Sequence, residues 1–240
     1  METTTYPTIN PSLKTSLRIA SAGLLVYMLY GMVYDMVSNV PAVRTVILSS
    51  VLVPDVLGAG RNALLLLSMA LACLALFAYR NRMPVSDKWL RILVYVAAVA
   101  AIVFVGRGIV AGIVALTISP YACIYLFPCE VVMIGGHPYL YMEAWKHYIL
   151  LGLAIGILWK LSSVEYVESP QPRSFSAALF VSGILPCVVL FLMLVSAIHV
   201  LCTGHVIGLG TFLYVSWLRG LVPVVLFLWY AVLIRRSACQ

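Results

Sequence analysis

The sequence predicts an all-α fold: a polytopic integral membrane bundle of six transmembrane helices, with a seventh crossing left open and one or two re-entrant or interfacial segments. Three observations predict it. The 240-residue chain is 63% hydrophobic and 10% charged, whereas soluble domains average about 45–50% apolar and about 25% charged residues. Its mean hydropathy is +1.06. Several apolar runs approach the ~20 residues that a helix needs to cross a ~30 Å hydrocarbon core, and the links between them are short and polar. Residues 1–240 are therefore expected to form one transmembrane domain, with residues 1–17 as a polar N-terminal arm.

The clearest spans are 18–38, 62–79, 91–117, 145–162, 175–200 and 207–234. The apolar run after the N-terminal arm is long and has no convincing A-x-A-like cleavage site, so the first span is expected to be its own targeting signal. Two further segments are apolar but interrupted. Residues 42–60 carry Pro54, Asp55 and two glycines, and residues 118–136 carry Pro120 and Pro128. Each is expected to be a short span or a re-entrant, surface-lying element. The link "EYVESPQPR" (165–173) is expected to be a solvated linker. No internal repeat of the kind that marks inverted-repeat transporters is visible.

Basic residues orient the chain, because cytoplasmic loops are enriched in Lys and Arg. With six spans, ten basic residues fall inside and three outside (Arg44, Arg61 and Lys146). If 42–60 crosses as well, nine fall inside and four outside. The six-span arrangement is favoured, and it places the C-terminus in the cytoplasm. The formal charge of +7 is thus topological. Without a basic stripe interleaved with aromatics, nucleic acid is not an expected partner.

That topology gathers polar residues at the outer face. "GGHPYLYMEAWKH" (135–147) holds His137, Glu143, Lys146 and His147. Glu143 and His147 are four residues apart and share a helix face. Carboxylate and neutral imidazole are ordinary metal ligands. His199 and His205, flanking the turn at 201–206, could complete a set, so His147, Glu143, His199 and His205 form a candidate metal site, and a metal ion is a candidate cofactor. The favoured reading of this run is plainer: Tyr139, Tyr141, Trp145 and Tyr148 form an aromatic belt where a helix enters lipid. Cys123, Cys129 and Cys202 at this face could supply one disulfide in an oxidising compartment, but are expected to be small buried apolar residues. Cys73 and Cys187 are expected to pack within spans.

Two arginines fall near mid-span: Arg107 in "VFVGRGIVAG" and Arg219 in "LYVSWLRGLVPVV". A charge at the bilayer centre is costly and usually marks a pathway or binding site. No acid lies near mid-span to pair with them, so Arg219 and Arg107 are the candidate ligand-binding residues, suited to a carboxylate, a phosphate, a lipid headgroup or chloride. A hinge at Gly106–Arg107–Gly108 would move Arg107 to an interface. Gly108-x₃-Gly112, Gly152-x₃-Gly156 and Gly204-x₃-Gly208 are expected to permit close helix approach, within the chain or between subunits.

There is no Walker A motif, no G-x-S-x-G and no regular pair of mid-span histidines for haem. Three function classes follow. The first is a transporter- or channel-like bundle with an anionic or lipid-like ligand. The second is a non-catalytic subunit of a larger membrane complex, either a homo-oligomer or a partner to another membrane chain. The third is a membrane-embedded enzyme using the outer His/Glu surface.

Overall fold

A computed structural model describes residues 11–38, 52–85, 87–117, 131–134, 137–140 and 144–203. These residues are mostly helical: α1 (Pro11–Ser38), α2 (Leu52–Ala78), α3 (Lys88–Thr117), α4 (Ala144–Leu161) and α5 (Arg173–Thr203). Four short strands accompany them: β1 (Arg82–Pro84), β2 (Val131–Ile134), β3 (His137–Leu140) and β4 (Tyr166–Glu168). By length and composition, Ser12–Val33, Gly60–Ala78 and Arg173–Thr203 are each long and apolar enough to cross a membrane. The expected span 207–234 lies outside the described residues.

Pro11 opens α1, where its fixed φ suits the first turn and its missing N–H would have no partner anyway. The helix therefore begins earlier than the apolar run. Residues 11–17, expected within the polar arm, are its first turns, because Leu13 and Leu17 extend the buried stripe formed by Ala20, Leu24 and Tyr27. The segment 42–60 also resolves in part. Residues 52–60 are not a separate span but the opening turns of α2, which runs unbroken to Ala78. Pro54 falls in the first turn, where proline is tolerated. Likewise α3 passes through Gly106, Arg107 and Gly108 without a hinge. The segment 118–136 is described only over 131–134, and there it is extended: β2 pairs antiparallel with β3, Val131 opposite Leu140 and Ile134 opposite His137.

In the packing order, α5 lies on α2, α2 on α1, α1 on α4 and α4 on α3. Successive neighbours are antiparallel. Ser12 in the first turn of α1 bonds the Tyr79 hydroxyl just past the end of α2. Arg18 lies 5.9 Å from the ring centroid of Trp159, near the end of α4. The Phe77 and Phe180 rings, 5.0 Å apart, join the end of α2 to the start of α5. The buried core runs along these seams through Leu17, Leu65, Leu66, Leu90, Leu150 and Leu179. The outward faces are equally apolar: Ile19, Val26, Val99, Ile102, Val181 and Phe191 are all more than half exposed. A soluble protein rarely exposes apolar area on that scale.

Two loops close one end of the helices. The first, residues 79–87, joins α2 to α3; the second, 162–172, joins α4 to α5. They pair as β1 and β4, Arg82 opposite Glu168 and Pro84 opposite Tyr166. The pairing continues outside the strands, with Val85 N–H donating to Glu165 (2.7 Å), Ser169 N–H to Asn81 (3.0 Å) and Gln171 N–H to Arg80 (2.9 Å). The Gln171 side chain donates to the Arg82 carbonyl at 3.0 Å. "EYVESPQPR" is exposed over most of its length, as expected of a solvated segment, but it is therefore a paired loop rather than a free linker. Tyr166 and Gln171 are buried, because each satisfies a backbone carbonyl that the loops would otherwise orphan.

The helix ends at this face are capped by the sequence around them. A helix leaves its last carbonyls unpaired. At the end of α4, the Ser162 and Ser163 hydroxyls both donate to the Trp159 carbonyl, and the Tyr166 hydroxyl donates to Leu161 at 2.9 Å. Burial holds the Tyr166 phenol above its usual range, so it remains a donor. Asp87 caps α3, accepting from Trp89 N–H at 3.3 Å in the manner of an N-cap carboxylate. Its other oxygen pairs with Lys160, which holds the Asp87 carboxyl below its ordinary value of 3.8.

Of the glycine pairs, Gly152 and Gly156 lie among the residues whose surroundings are described. A Cβ on Gly152 would meet nothing within 4 Å, and one on Gly156 only Leu93 at 3.9 Å. Among the described residues, that pair opens no close approach. The tight contacts are at Gly23, against Ser68, and at Gly183, where a Cβ would stand 2.7 Å from Leu74 Cδ2 and 3.3 Å from Cys73 Cβ. Cys73 is buried as expected, but Cys187 and Cys202 are exposed free thiols, because both fall on outward faces of α5.

Two outcomes follow from this packing. Gly183→Leu should lower the thermal unfolding temperature of the detergent-solubilised protein by forcing α5 from α2, while Gly152→Leu leaves it unchanged; equal effects would contradict the packing order. Asp87 has a depressed folded pKa, so its contribution to stability is complete above the unfolded value and lost as pH falls through the folded one. The unfolding temperature should therefore fall with pH below about 4, and Asp87→Ala should remove that component of the acid limb.

Candidate functional site

Opposite the paired-loop end, three helices converge on a single guanidinium. Arg61 lies nine residues into α2, about 14 Å from the helix start at 1.5 Å per residue. It is thus not a loop residue, as the reading of 42–60 as a separate segment implied. Its stripe on α2 includes the buried Leu65, Ser68 and Ala72, three- and four-residue steps that keep it facing α1.

On α1, Tyr27, Tyr30 and Gly31 fall on the facing stripe. The Arg61 guanidinium carbon stands 4.8 Å from the Tyr27 ring centroid and 5.9 Å from that of Tyr30. Both distances are within cation–π range. Tyr27 is fully buried, so that contact is sheltered from water. Gly31 makes the arrangement fit. A Cβ there would stand 2.6 Å from the Tyr148 hydroxyl of α4 and 3.0 Å from Arg61 Cζ, and would overlap Arg61 Nη2. The place a side chain would take is occupied by the guanidinium and the phenol.

The aromatic contacts engage the charge of the guanidinium, but a ring face does not accept a hydrogen bond as a carbonyl or carboxylate oxygen does. Arg61 Nε is buried without a hydrogen-bond acceptor, and among the described residues the ion pair is Lys160–Asp87, at the other end. A buried donor on a charged group is expensive to leave unmet. A guanidinium is the side chain whose planar donors best match an oxyanion.

The residues singled out in the sequence are dispersed. Arg107 occupies a position within α3, and His147 one in the first turn of α4. His199 is half-buried near the end of α5, its carbonyl accepting from Thr203 at 2.8 Å. Arg219, Glu143 and His205 lie outside the described residues. The helices α4 and α5, which carry His147 and His199, are not adjacent in the packing order. No group of three or more His, Cys, Asp or Glu gathers among the described residues. Sequence reasoning missed Arg61. Its signal was the "YGM" of α1 with a tyrosine three residues before it, and the Gly60–Arg61 step of α2. These are legible as partners only once α1 and α2 are known to be antiparallel.

No protein-family model, no curated protein and no solved structure matches this chain. The function must be argued from its residues. The Tyr27 contact supplies the first check: Tyr27→Leu should destabilise the protein by roughly 1–3 kcal/mol, read by unfolding in mixed micelles, and Tyr27→Phe, which keeps the ring, by clearly less.

Proposed function

We propose that this chain is a multi-pass membrane protein whose paired-loop end faces the cytoplasm and whose helices form a transporter- or channel-like bundle for an anionic or lipid-like ligand. The observation that carries the reading is Arg61, a guanidinium held between three helices with a buried Nε that meets no acceptor. Intramembrane cations usually mark a pathway or a binding site, and among the described residues no acid is paired with Arg61. Arg107, 19 residues into α3 and so about 28 Å from the paired-loop end at 1.5 Å per residue, would extend the same chemistry at a similar level, and Arg219 would add to it.

The orientation rests on charge. Lys14, Arg18, Arg80, Arg82, Lys88, Arg91, Lys160 and Arg173 all belong to the paired-loop end, as the positive-inside rule asks of a cytoplasmic face. The antiparallel run of α1 and α2 supports the six-span arrangement, since one extra crossing within 42–60 would make them parallel.

A second reading, a subunit of a larger membrane complex, is favoured by one observation. Gly152 is exposed on α4, with none of the described residues within 4 Å of its missing Cβ, beside Ile149 and Trp159, which are 44% and 58% exposed. Small residues on an outward face are the usual means by which membrane helices approach a partner.

Flux assays separate the readings. In reconstituted vesicles, chloride, inorganic phosphate or a small carboxylate should pass, and Arg219→Ala should abolish that flux while the protein stays monodisperse. Unchanged flux on Arg219→Ala would remove Arg219 from the pathway. A stoichiometric partner chain after gentle solubilisation, with no flux, would favour the subunit. A bound metal lost on His147→Ala would favour the enzyme.

A further inference from the structure

We infer that the paired-loop end carries a binding surface for anionic phospholipid headgroups, built on Arg18 with Trp159 and on Lys88 with Arg91. The inference needs the helices to cross a membrane; it does not need the bundle to carry a ligand.

Three features build the surface. The first is charge. Among the described residues, this end sets the eight cations named above against three carboxylates, Asp87, Glu165 and Glu168. Asp87 is taken by Lys160, whereas Arg18, Arg80, Lys88, Arg91 and Arg173 are exposed. The positive-inside bias accounts for the side on which they lie. Helix stability does not account for their positions. Lys14, Lys88 with Arg91, and Arg173 fall in the first turns of α1, α3 and α5, and none of those turns holds an acid. A helix dipole disfavours a cation there and favours an anion, so a headgroup phosphate would meet the dipole and the side chains together.

The second is level. Arg18 of α1 lies 5.9 Å from the Trp159 ring centroid on α4. The next residue, Lys160, pairs with Asp87, which immediately precedes Lys88 at the start of α3. Arg18, Trp159 and Lys88 are thereby brought to one height across three helices. Trp89 and Trp159 are both more than half exposed, and tryptophan is enriched where membrane helices pass through the headgroups.

The third is what adjoins the cations, and it selects a lipid over a soluble anion. On α3, Lys88, Arg91, Tyr95, Val99 and Ile102 follow at three- and four-residue steps, so they share one face. All five are exposed. On α1, the exposed Ile19 adjoins Arg18. A molecule with a negative head and an apolar chain matches both parts of such a face. An inorganic anion or an acidic soluble protein matches only the first.

The test reconstitutes the full chain in phosphatidylcholine vesicles that contain either phosphatidylglycerol or phosphatidylcholine with brominated chains. Bromine quenches tryptophan on contact, so fluorescence reads which lipid stands against the protein. Brominated phosphatidylglycerol should quench more at equal content. The excess should shrink as salt rises, because exposed charges are screened, and this series needs no variant. Replacing both Trp89 and Trp159 by Phe should remove the excess. Each cation near a lipid surface contributes about fivefold to binding. The preference should therefore fall by up to about fivefold in Arg18→Gln and further in the double variant Lys88→Gln with Arg91→Gln. Equal quenching by the two lipids, a preference that salt does not weaken, or one intact in both charge variants overturns the inference. Arg61 lies 17 residues from the Ala78 end of α2, about 26 Å at 1.5 Å per residue, which is the opposite margin of a ~30 Å hydrocarbon core. Quenching is read without flux, so failure here leaves the anionic-ligand reading standing, and absence of flux leaves this surface standing.

Discussion

The crossing of two short loops is the constraint on which the rest of the molecule depends. Each loop joins helices that are not close packing neighbours, and the two meet beneath the start of α1. Backbone groups leaving a helix must find partners, and near lipid the protein has to supply them. Here each loop supplies the other's. The carbonyls of Arg80, Asn81 and Arg82 accept from Gln171 and Ser169 of the second loop, and the Glu165 carbonyl accepts from Val85 of the first. Once β1 and β4 are paired, the end of α2 and the end of α4 are fixed on either side of α1, and the hydroxyls of Ser162, Ser163 and Tyr166 close carbonyls that remain.

Along the helices a different force holds the packing. Where lipid is as apolar as leucine, burial of leucine drives little association, and close contact through small residues takes over. The α1–α2 seam shows this. Gly23 receives Ser68, and Ser21 satisfies itself by donating to the Arg18 carbonyl at 2.8 Å. The α2–α5 seam repeats it with Gly183 against Leu74 and Cys73. Pro186, inside α5, cannot donate to the carbonyl four residues earlier, so it frees a backbone acceptor close to that same seam. Small polar groups thus line the side of α1 that leads from the paired loops towards Arg61.

Some of this was legible in the sequence and some was not. Hydropathy located the apolar bodies of five helices, because a span must be about as long as the hydrocarbon is thick. It misjudged their ends. Leu13 and Leu17 carry α1 back through a stretch that composition marked as an arm, and Pro54 looked like a break although proline is at home in a first turn. The pairing of Arg82–Pro84 with Tyr166–Glu168 was invisible, since nothing local in "EYVESPQPR" specifies a partner more than 80 positions away. Glycine spacing was equally mute: the pattern at Gly152 and Gly156 is the same whether it faces a neighbour or the outside. Arg61 was hidden for a related reason. Assigned to a loop, it needed no partner; placed inside α2, the unmet donor at its Nε becomes informative.

Why the chain tolerates Arg61 follows from where its parts sit. A cation at mid-bilayer must be offset in full by the protein or by distortion of the membrane. At the margin, part of its hydration survives, and the fully buried Tyr27 ring offsets more through its face. What the tyrosine rings cannot do is meet in-plane donors, because a ring face attracts the charge without accepting at an N–H edge. The guanidinium is therefore stabilised through its charge, while its Nε–H meets no acceptor among the described residues. Aromatic contact and an unmet Nε thus fall on one residue: the charge of Arg61 is offset, while its hydrogen bonding is not completed by the described residues.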